Sequence, residues 1–284
     1  MSVWHLTLDE LRRRAPLWEP AAVAVGNFDG VHVGHVRILR LAVEEAAAAG
    51  ETPVALTFSP HPRAVVGGGP PPALSTVEHR ARLMRKLGVA RVVVLRFDRD
   101  VASLSPEAFV HDVLLEGLGA RRIVVGEDFR FGRGAAGTPR LLEDEAGRRG
   151  AAVHVAPTVR APDGRVVSSS CIRRLLAEGD VEAAARLLGR PYEVVGVPGG
   201  MERSPDGEPA LRVDPAPELL LPGAGEYRAE LWGEHGDDRG DDDARGVPVV
   251  AVIAAGPGRG LLLRGGAPPA GTGPVRVRFL ARRR

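Results

Sequence analysis

The sequence predicts a two-domain protein, in which an α/β domain built on a parallel sheet precedes a small antiparallel β domain. Three observations support this fold class. In the first two thirds of the 284 residues, short apolar runs alternate with segments of helical periodicity. These runs are almost entirely apolar, as strands buried on both faces of a parallel sheet must be. Beyond Pro191 the helical periodicity disappears, and glycine and proline become dense.

The elements of the first domain follow in chain order. A helical pattern ending at Gly50 and another ending at Gly88 use glycine as a stop signal, and Ser105 is placed to cap a third helix. The predicted strands are Ala21–Gly26, Pro53–Phe58, Arg91–Phe97, Arg122–Gly126 and Ala152–Ala156. The predicted helices are Val36–Ala47, Thr76–Leu87, Pro106–Leu115, Pro139–Arg149, Ile172–Ala177 and Val181–Leu188. Such alternation implies βαβ units and a parallel sheet.

The second domain shows only short β-like pieces. They are Tyr192–Val197, Gly225–Trp232, Val247–Ala254 and Val275–Leu280. Short strand-like segments among dense glycine and proline favour a small antiparallel β domain. The stretch Glu234–Arg245 carries five aspartates, for which we favour a solvated loop over a metal site because no fixed ligand geometry is evident.

Composition limits the class of protein. Hydrophobic residues make up 44% and charged residues 26%, as in globular proteins, so a mostly disordered chain is excluded. The chain has no apolar run of about 18 residues and no apolar leader, so neither a membrane span nor a signal peptide is expected. Cys171 is the single cysteine, which excludes internal disulfides and predicts a cytoplasmic protein.

The charge balance bears on possible partners. Lys86 is the only lysine, so almost all positive charge is arginine, a side chain that suits phosphate recognition. The formal net charge is only +2, and acidic residues are interspersed, so we attribute the arginine content to genomic codon bias. No nucleic-acid or membrane partner is expected, and the sequence leaves homo-oligomer formation open.

The segment from Gly26 to His35, Gly-Asn-Phe-Asp-Gly-Val-His-Val-Gly-His, carries the strongest chemical signal. It follows a predicted strand and opens a predicted helix, whose first N–H groups and dipole form an anion site. Gly30 and Gly34 allow the backbone to approach a phosphate closely. His32 and His35 lie three residues apart, so both imidazoles can stabilise charge on one phosphorus centre. The alternative is a structural role, with hydrogen bonds at a helix start.

This segment resembles the His-x-Gly-His signature of the nucleotidyltransferase superfamily. Its full length is similar to that of bacterial FAD synthetases, the adenylyltransferase half of bifunctional riboflavin kinase/FMN adenylyltransferases. Four more stretches match this family in the same order, and they are Thr57–Arg63, Phe97–Phe109, Gly126–Gly132 and Val167–Arg173. In the last stretch Ser170 replaces the family's threonine and keeps the hydroxyl. The resemblance covers about residues 20–192 and implies a Rossmann-like nucleotidyltransferase domain followed by a β-barrel-like domain.

Three of these matches also have a physical interpretation of their own. His61 lies between two prolines on a loop after a strand, as binding residues often do. Phe129 and Phe131 fall on one side of an extended segment, where rings can stack on a planar base or isoalloxazine. Ser168–Ser170 begin a helix and can hold a phosphate, with Arg173 one turn inside. The structural alternatives are a simple turn, core packing and N-capping, respectively.

The resemblance implies an enzyme that transfers AMP from ATP to FMN, giving FAD and pyrophosphate. Positioning and charge stabilisation dominate such chemistry. Mg²⁺ is expected with ATP, although the sequence shows no dedicated metal cage. The implied catalytic residues are His32, His35 and Arg173. The implied nucleotide-binding residues are Gly26, Asn27, Phe28, Asp29, Gly30, Gly34, Asp128, Ser168, Ser169 and Ser170. The implied flavin-binding residues are His61, Pro62, Arg63, Phe129, Arg130 and Phe131.

The C-terminal segment resembles the riboflavin kinase domain of the bifunctional relatives only in part. Gly189–Tyr192, Leu219–Glu230 and Val275–Leu280 match family segments. The family's Gly-x-Pro-Thr-Ala-Asn motif should fall near Asp206–Val213, which has no threonine or asparagine, and later kinase segments are also missing. We therefore predict a nucleotidyltransferase domain at residues 1–189 and a degenerate kinase-like β domain at 190–284, without kinase activity.

Weaker motifs and other functions compete with this interpretation. Gly132–Gly137 fits Gly-x-Gly-x-x-Gly, but five residues separate it from the strand and no acidic residue follows at the required distance. We therefore favour a flexible loop over the nucleotide to an NAD site. Cys171 has no local base that would make it a nucleophile. The alternative functions are a related transferase with another phosphorylated substrate and a non-catalytic flavin- or nucleotide-binding protein.

Overall fold

A computed structural model describes residues 3–17, 20–233, 246–254, 260–265 and 273–283. The chain divides into two compact units, residues 1–71 with 77–166 and residues 72–76 with 167–284. The acidic stretch Glu234–Arg245 lies outside the described residues. The predicted boundary between the two family domains, at residues 189 and 190, differs from the division into compact units. It remains a prediction.

The first unit is built on a six-stranded sheet in the order β1-β4-β3-β2-β5-β6. The strands are β1 (Val3–Leu6), β2 (Ala21–Val25), β3 (Thr52–Ser59), β4 (Arg91–Arg96), β5 (Ala120–Gly126) and β6 (Ala152–Ala156). Every neighbouring pair is parallel, and the central strand pairs Val23 with Val54 on one side and Ile123 on the other. The predicted α/β class with a parallel sheet is confirmed.

Helices cover both faces of this sheet. They are α1 (Leu8–Arg14), α2 (Val33–Ala49), α3 (Arg63–Val66), α4 (Val77–Lys86), α5 (Arg99–Ser103), α6 (Pro106–Ala108) and α7 (Pro139–Gly147). Because successive strand residues point to opposite faces, Val23 packs in one core cluster with Phe109 and Val113, whereas Ala24 packs in another with Leu39. The sheet therefore lies between two apolar cores.

Three features of the first unit differ from the sequence expectation. Strand β1 and helix α1 were not predicted, although Thr7 and Glu10 form a capping box at the start of α1. The helix predicted over Pro106–Leu115 is a short α6 that continues as a π-helix over Phe109–Gly117. Helix α2 begins at Val33, three residues before its first predicted apolar position.

The second unit combines two helices with a closed antiparallel barrel. The helices are α8 (Ser169–Ala177) and α9 (Val181–Leu188), and α9 packs on strands of the barrel. The barrel order is β10-β11-β8-β7-β12-β9, with β9 and β10 paired to close it. The strands are β7 (Tyr192–Arg203), β8 (Pro209–Pro215), β9 (Gly225–Gly233), β10 (Val247–Ile253), β11 (Leu261–Arg264) and β12 (Val275–Arg282). The predicted antiparallel barrel-like domain is confirmed, although β8 and β11 were not foreseen.

Candidate active site

The strand order of the first unit places the site at a topological switch point. From β2 the chain proceeds to β3 on one side, and from β5 it proceeds to β6 on the other. In open parallel sheets, ligands bind at the carboxyl ends of the strands where the order reverses in this way. The loop Gly26–His32 follows β2, and the loop beginning at Glu127 follows β5. Both predicted motif loops therefore lie at this edge.

The loop after β2 has an unusual backbone. Gly30 has a φ of 79°, while Phe28 and Val31 have φ values of 49° and 40°. Left-handed conformations are uncommon without glycine, and for a β-branched residue such as Val31 they are outliers. Phe28 and Val31 are fully buried, so surrounding packing holds the loop in this shape. A Cβ at Gly26 would stand 3.1 Å from carbons of the Phe28 ring, so the buried ring would have to shift by a few tenths of an ångström to admit it.

The structure brings the two predicted catalytic histidines into direct contact. His32 is the N-cap of α2, and its Nδ1 accepts a hydrogen bond of 3.3 Å from the backbone N–H of His35. The two imidazoles stack with centroids 3.6 Å apart, and the Phe28 ring meets His35 edge-on at 5.4 Å. Because Nδ1 of His32 is an acceptor, the neutral ring carries its proton on Nε2. His32 is thereby set up as a hydrogen-bond donor.

Arg80 is a site residue that sequence reasoning missed. It lies on α4 and is 8% exposed. Its Nη1 donates to the carbonyl of Asn27 and, at 3.2 Å, to Oγ1 of Thr57, while its Nη2 lies 3.8 Å from Oδ1 of Asp29. Thr57 Oγ1 also donates to the Asn27 carbonyl, at 2.9 Å. Asp29 is itself buried, so this predicted nucleotide-binding carboxylate faces a cation of the protein.

The loop after β5 presents one half-buried ring and one core ring. Phe129 and Phe131 stack with centroids 5.3 Å apart, as their spacing predicts. Phe131 is buried and packs on Phe109 at 5.6 Å, which is the core packing that we considered as the alternative. Phe129 is half-buried, whereas Asp128 and Arg130 are exposed. A planar ligand at this edge would meet Phe129 rather than Phe131.

The loop after β3 lies at the same sheet edge, because all strands are parallel. His61 and Pro62 are half-buried, and Nδ1 of His61 accepts a hydrogen bond of 3.2 Å from the backbone N–H of Arg63. Arg63 begins the short helix α3 and is exposed. The histidine between two prolines therefore forms a local turn, with an exposed guanidinium beside it.

The predicted phosphate-binding serines and Arg173 belong to the second unit. Ser168 is the N-cap of α8, and its Oγ accepts a hydrogen bond of 3.2 Å from the backbone N–H of Cys171. Ser169 is half-buried, and Ser170 is exposed. Nε of Arg173 donates to the carbonyl of Pro72 at 2.7 Å. The capping role is therefore present, and a phosphate role remains a prediction.

The Gly-x-Gly-x-x-Gly stretch forms a closed loop. Phe131 and Gly137 bridge across its base, and the backbone N–H of Arg133 donates to the carbonyl of Leu104 at 2.7 Å. β5 ends at Gly126, and five residues separate it from Gly132, so the stretch does not connect a strand directly to a helix as a dinucleotide-binding fingerprint does. The geometry of this loop therefore differs from that of a dinucleotide-binding fingerprint.

The donors at this edge fit a magnesium ion that arrives with a nucleotide. Asp29 faces Arg80, so Asp128 is the predicted residue with an exposed carboxylate here. Mg²⁺ usually keeps several waters and takes one or two carboxylates together with substrate phosphates. Among described residues, the group with metal-ligand spacing is His111, Asp112 and Glu116 on the π-helix, where Asp112 is already paired with Arg12.

Comparison with known proteins identifies the family to which this chain belongs. The family model described as FAD synthetase matches residues 15–171, more than half of the chain. The chain belongs to the FAD synthetase family. This result confirms the resemblance that the motifs indicated, and the match covers every predicted site residue of the family except Arg173.

Relatives of this FAD synthetase family member are bifunctional enzymes. The riboflavin kinase/FMN adenylyltransferase of Pseudomonas fluorescens is 37% identical over 186 residues, which cover 66% of this chain and 60% of that protein. The enzyme of the same name from Bacillus subtilis is 32% identical over 220 residues, covering 75% and 69% respectively. The aligned part therefore spans about two thirds of each relative.

A solved structure shares the complete fold. The crystal structure of a macrolide-efflux protein from Streptococcus pneumoniae superposes with a TM-score of 0.79 and 21% identity, covering 100% of this chain and 91% of that one. At this identity the likeness concerns the fold alone. None of the helices in the described part of the FAD synthetase family member combines the length and apolar character that a bilayer crossing requires.

Proposed function

We propose that this protein is an FMN adenylyltransferase, an FAD-synthesising nucleotidyltransferase that uses ATP. A phosphate oxygen of FMN attacks the α-phosphorus of ATP, and the bond from that phosphorus to the bridging oxygen breaks. AMP is thereby joined to FMN as FAD, and pyrophosphate leaves with the electron pair. The observation that carries the proposal is the stacked His32–His35 pair at the start of α2, at the switch point of the sheet.

The first unit supplies the groups for the triphosphate. The N–H groups and dipole at the start of α2 favour an anion there, and Gly30 and Gly34 leave room for it. His32 would donate to the triphosphate from Nε2, while its Nδ1 is held by the backbone N–H of His35 and its ring stacks on the His35 ring. Asn27 and the other predicted residues of this loop shape the nucleotide site. Donors aimed at developing charge typically contribute the largest share of such catalysis.

The proposed β- and γ-phosphate ligands are those that the family resemblance implies, Ser168, Ser169, Ser170 and Arg173. Ser168, Ser169 and Ser170 offer hydroxyls and backbone N–H groups at the start of α8, a helix of nine residues. Arg173 adds a guanidinium whose Nε is held by the Pro72 carbonyl. Mg²⁺, bound with ATP, neutralises charge on the triphosphate, and Asp128 is its proposed protein contact.

The flavin side is proposed for the loops after β3 and β5. Phe129 offers a half-buried ring for stacking on the isoalloxazine. Arg63 and Arg130 offer exposed guanidinium groups for a phosphate, and His61 with Pro62 shapes the rigid turn beside them. Phe131 supports Phe129 from the core.

We also propose that the barrel has lost riboflavin kinase activity. The residues at the position of the family's threonine and asparagine lie in the β7–β8 hairpin, whose turn closes through a Ser204 N–H bond to the Glu208 carbonyl. Arg212 on β8 pairs with Glu202 and Asp214, 2.8 and 3.0 Å away. These contacts support a structural hairpin in place of a metal–ATP site.

One assay separates the candidate functions. The purified full chain is incubated with FMN, ATP and Mg²⁺, and FAD and pyrophosphate are measured together. Equal formation of both is expected. Turnover only with another phosphate ester would favour a related transferase, and binding of FMN or ATP without turnover would favour a binding protein. A cytoplasmic location is proposed from the single cysteine, Cys171.

A further inference from the structure

Arg80 has a buried guanidinium to which the proposed reaction assigns no role. It reaches from α4 to the carboxyl ends of β2 and β3, where it contacts the Asn27 carbonyl, Thr57 Oγ1 and the Asp29 carboxylate. Burying an arginine is unfavourable unless its charge and its N–H groups are matched. The contacts with Asn27 and Asp29 therefore bind Arg80 to the loop that follows β2.

This loop needs external support. Phe28 and Val31 hold left-handed backbone conformations, which persist only where the surroundings over-determine them. The carbonyl that Arg80 contacts belongs to Asn27, the residue directly before Phe28. Thr57 donates to the same carbonyl, so two side chains from neighbouring elements fix the peptide at which the unusual backbone begins.

The loop also determines where His32 stands. His32 follows Val31 directly and caps α2, so a shift of the loop moves the imidazole and the first N–H groups of the helix together. A misplacement of about 1 Å can cost about 10²-fold in rate when groups must be aligned. Because Asp29 already faces the Arg80 charge, the geometry favours a fixed support over a direct phosphate ligand.

We propose that Arg80 is a positioning residue, whose guanidinium holds the Asn27–Val31 loop in the left-handed form that aligns His32 and the start of α2. The expected effect on catalysis rests on the proposed function, because it assumes FMN and ATP as substrates. The expected effect of Arg80 on the loop does not depend on the substrates. Loss of Arg80 should therefore slow catalysis and also loosen the loop in the protein without substrate.

The catalytic test uses three variants and one control in the full chain. Arg80→Met removes the charge and the donors at similar length, Arg80→Lys keeps the charge, and Thr57→Val removes the second donor onto Asn27. Arg85→Met changes an exposed arginine of the same helix and serves as the control. We expect kcat for FAD formation to fall about 10²-fold in Arg80→Met, as for a misaligned group. The KM for ATP should change little, Arg80→Lys should recover part of kcat, and the control should match the wild type.

The structural test is amide hydrogen exchange without ligands, read by mass spectrometry. Arg80→Met should exchange faster over residues 28–35 and not over the central strands. Combined with Thr57→Val, its effect should be less than additive, because both side chains hold one carbonyl. If Arg80→Met does not fold, Arg80→Lys and Thr57→Val provide the same two measurements with smaller changes.

Several outcomes would overturn the proposal. Unchanged kcat and unchanged exchange in folded Arg80 variants would do so directly. A higher KM for ATP at normal kcat would make Arg80 a phosphate ligand, and faster exchange throughout the sheet would make it a general core residue. If the wild type forms no FAD, the proposed function fails, while the exchange measurement still decides whether Arg80 positions the loop.

Discussion

At the scale of single residues, His32 combines a structural and a chemical task. As the N-cap of α2, its Nδ1 satisfies the N–H of His35, which otherwise has no partner within the helix. The same bond leaves Nε2 as the protonated nitrogen of the neutral ring, from which His32 can donate. A substitution at His32 tests its catalytic role only if the variant side chain still caps the helix.

We expect His32→Ala to lower kcat for FAD formation at least about 10²-fold, the size expected for one lost charge-stabilising donor. It should also lower the free energy of unfolding by about 1 kcal/mol, because the cap is lost. His32→Asn is the matched variant, since asparagine caps helices well but has no imidazole. It should keep the stability and show the same loss of kcat. Steady-state kinetics and urea unfolding measure both, and a normal kcat in His32→Asn would remove His32 from the catalytic set.

Two side-chain contacts of the candidate site could be predicted from the sequence, because the residues that form them are close together in the chain. The contact between His32 and His35 follows from their spacing at a helix start, and the stacking of Phe129 on Phe131 follows from their alternation in an extended segment. Arg80 has no such local signal. It stands in a charged stretch of α4 that is typical of a solvated helix face, and only the neighbouring ends of β2 and β3 make it a buried group.

At the scale of elements, the glycine-rich loop Gly132–Gly137 after β5 packs closely at one positive-φ glycine and is open at another. Gly132 has a φ of 70°, and a side-chain carbon there would stand 2.7 Å from the backbone nitrogen of Pro106. Gly134 has a φ of 64° but no atom within 4 Å. Both glycines have a positive φ, but Gly132 has a ψ of −179°, a conformation essentially restricted to glycine, whereas Gly134 has a ψ of 15°, near the ordinary left-handed region.

We expect Gly134→Ala to lower the free energy of unfolding by roughly 1–2 kcal/mol, the cost of a left-handed non-glycine residue. Gly132→Ala should cost roughly 1–3 kcal/mol more, because its backbone conformation is essentially restricted to glycine and the methyl group also overpacks against Pro106. Urea unfolding monitored by circular dichroism gives both values. Equal losses would contradict both the backbone and the packing contribution at Gly132.

The π-helix over Phe109–Gly117 carries an ion-paired carboxylate. Burial raises the pKa of Asp112, but hydrogen bonds from His111 and Arg12 and the Arg12 charge outweigh it, so the pKa lies below the ordinary value of 3.8. A lowered pKa favours the carboxylate in the folded state. The resulting stability is complete above the ordinary pKa and is lost as pH falls through the lowered value.

Arg12→Ala should therefore raise the pKa of Asp112 toward its ordinary value. The variant should be less stable than the wild type near neutral pH, by a small amount because the pair is partly exposed. The difference should vanish in acid, below both pKa values. NMR titration of the Asp112 carboxyl and urea unfolding across pH measure the two effects, with Arg13→Ala as the control on the same helix. A pKa unchanged by Arg12→Ala would contradict this account.

Element prediction failed where the sequence signal is short or degenerate. Strand β1 has four residues, and it becomes a strand only by pairing with β4, from which it is distant in sequence. An α-helix and a π-helix bury similar apolar positions, so the periodicity over Pro106–Leu115 predicted a helix without its hydrogen-bond pattern. Strand β11 is likewise four residues long, and its pairing with β8 and β10 is not visible locally.

At the scale of the whole molecule, the order of elements was predictable but the order of strands was not. Alternating apolar runs and helices predict a parallel sheet, and every predicted strand of the first domain is present. The sequence did not indicate that β5 returns to lie beside β2, which sets the loops after both strands at one switch point. That arrangement unites motifs about 100 residues apart in the chain, as ligand sites in such sheets require.

The barrel bears on riboflavin kinase activity, the second activity of the bifunctional relatives. Riboflavin kinases must hold metal–ATP, and the matching hairpin here has no threonine or asparagine between Asp206 and Val213. Arg212 is committed to Glu202 and Asp214, and the turn is closed by Ser204. We therefore expect riboflavin, ATP and Mg²⁺ to give no FMN.

The same preparation should convert FMN to FAD, which controls for inactive protein, and the bifunctional enzyme of Bacillus subtilis should form FMN in parallel. Chromatography with flavin fluorescence resolves riboflavin, FMN and FAD in one run. Robust FMN formation by this chain would mean that the barrel binds metal–ATP through residues other than the family motif. Absence of FMN together with FAD formation would mean that a complete barrel fold outlasts the loss of its chemistry, because a packed interior of Tyr192, Tyr227 and Phe279 depends on burial and not on the kinase loops.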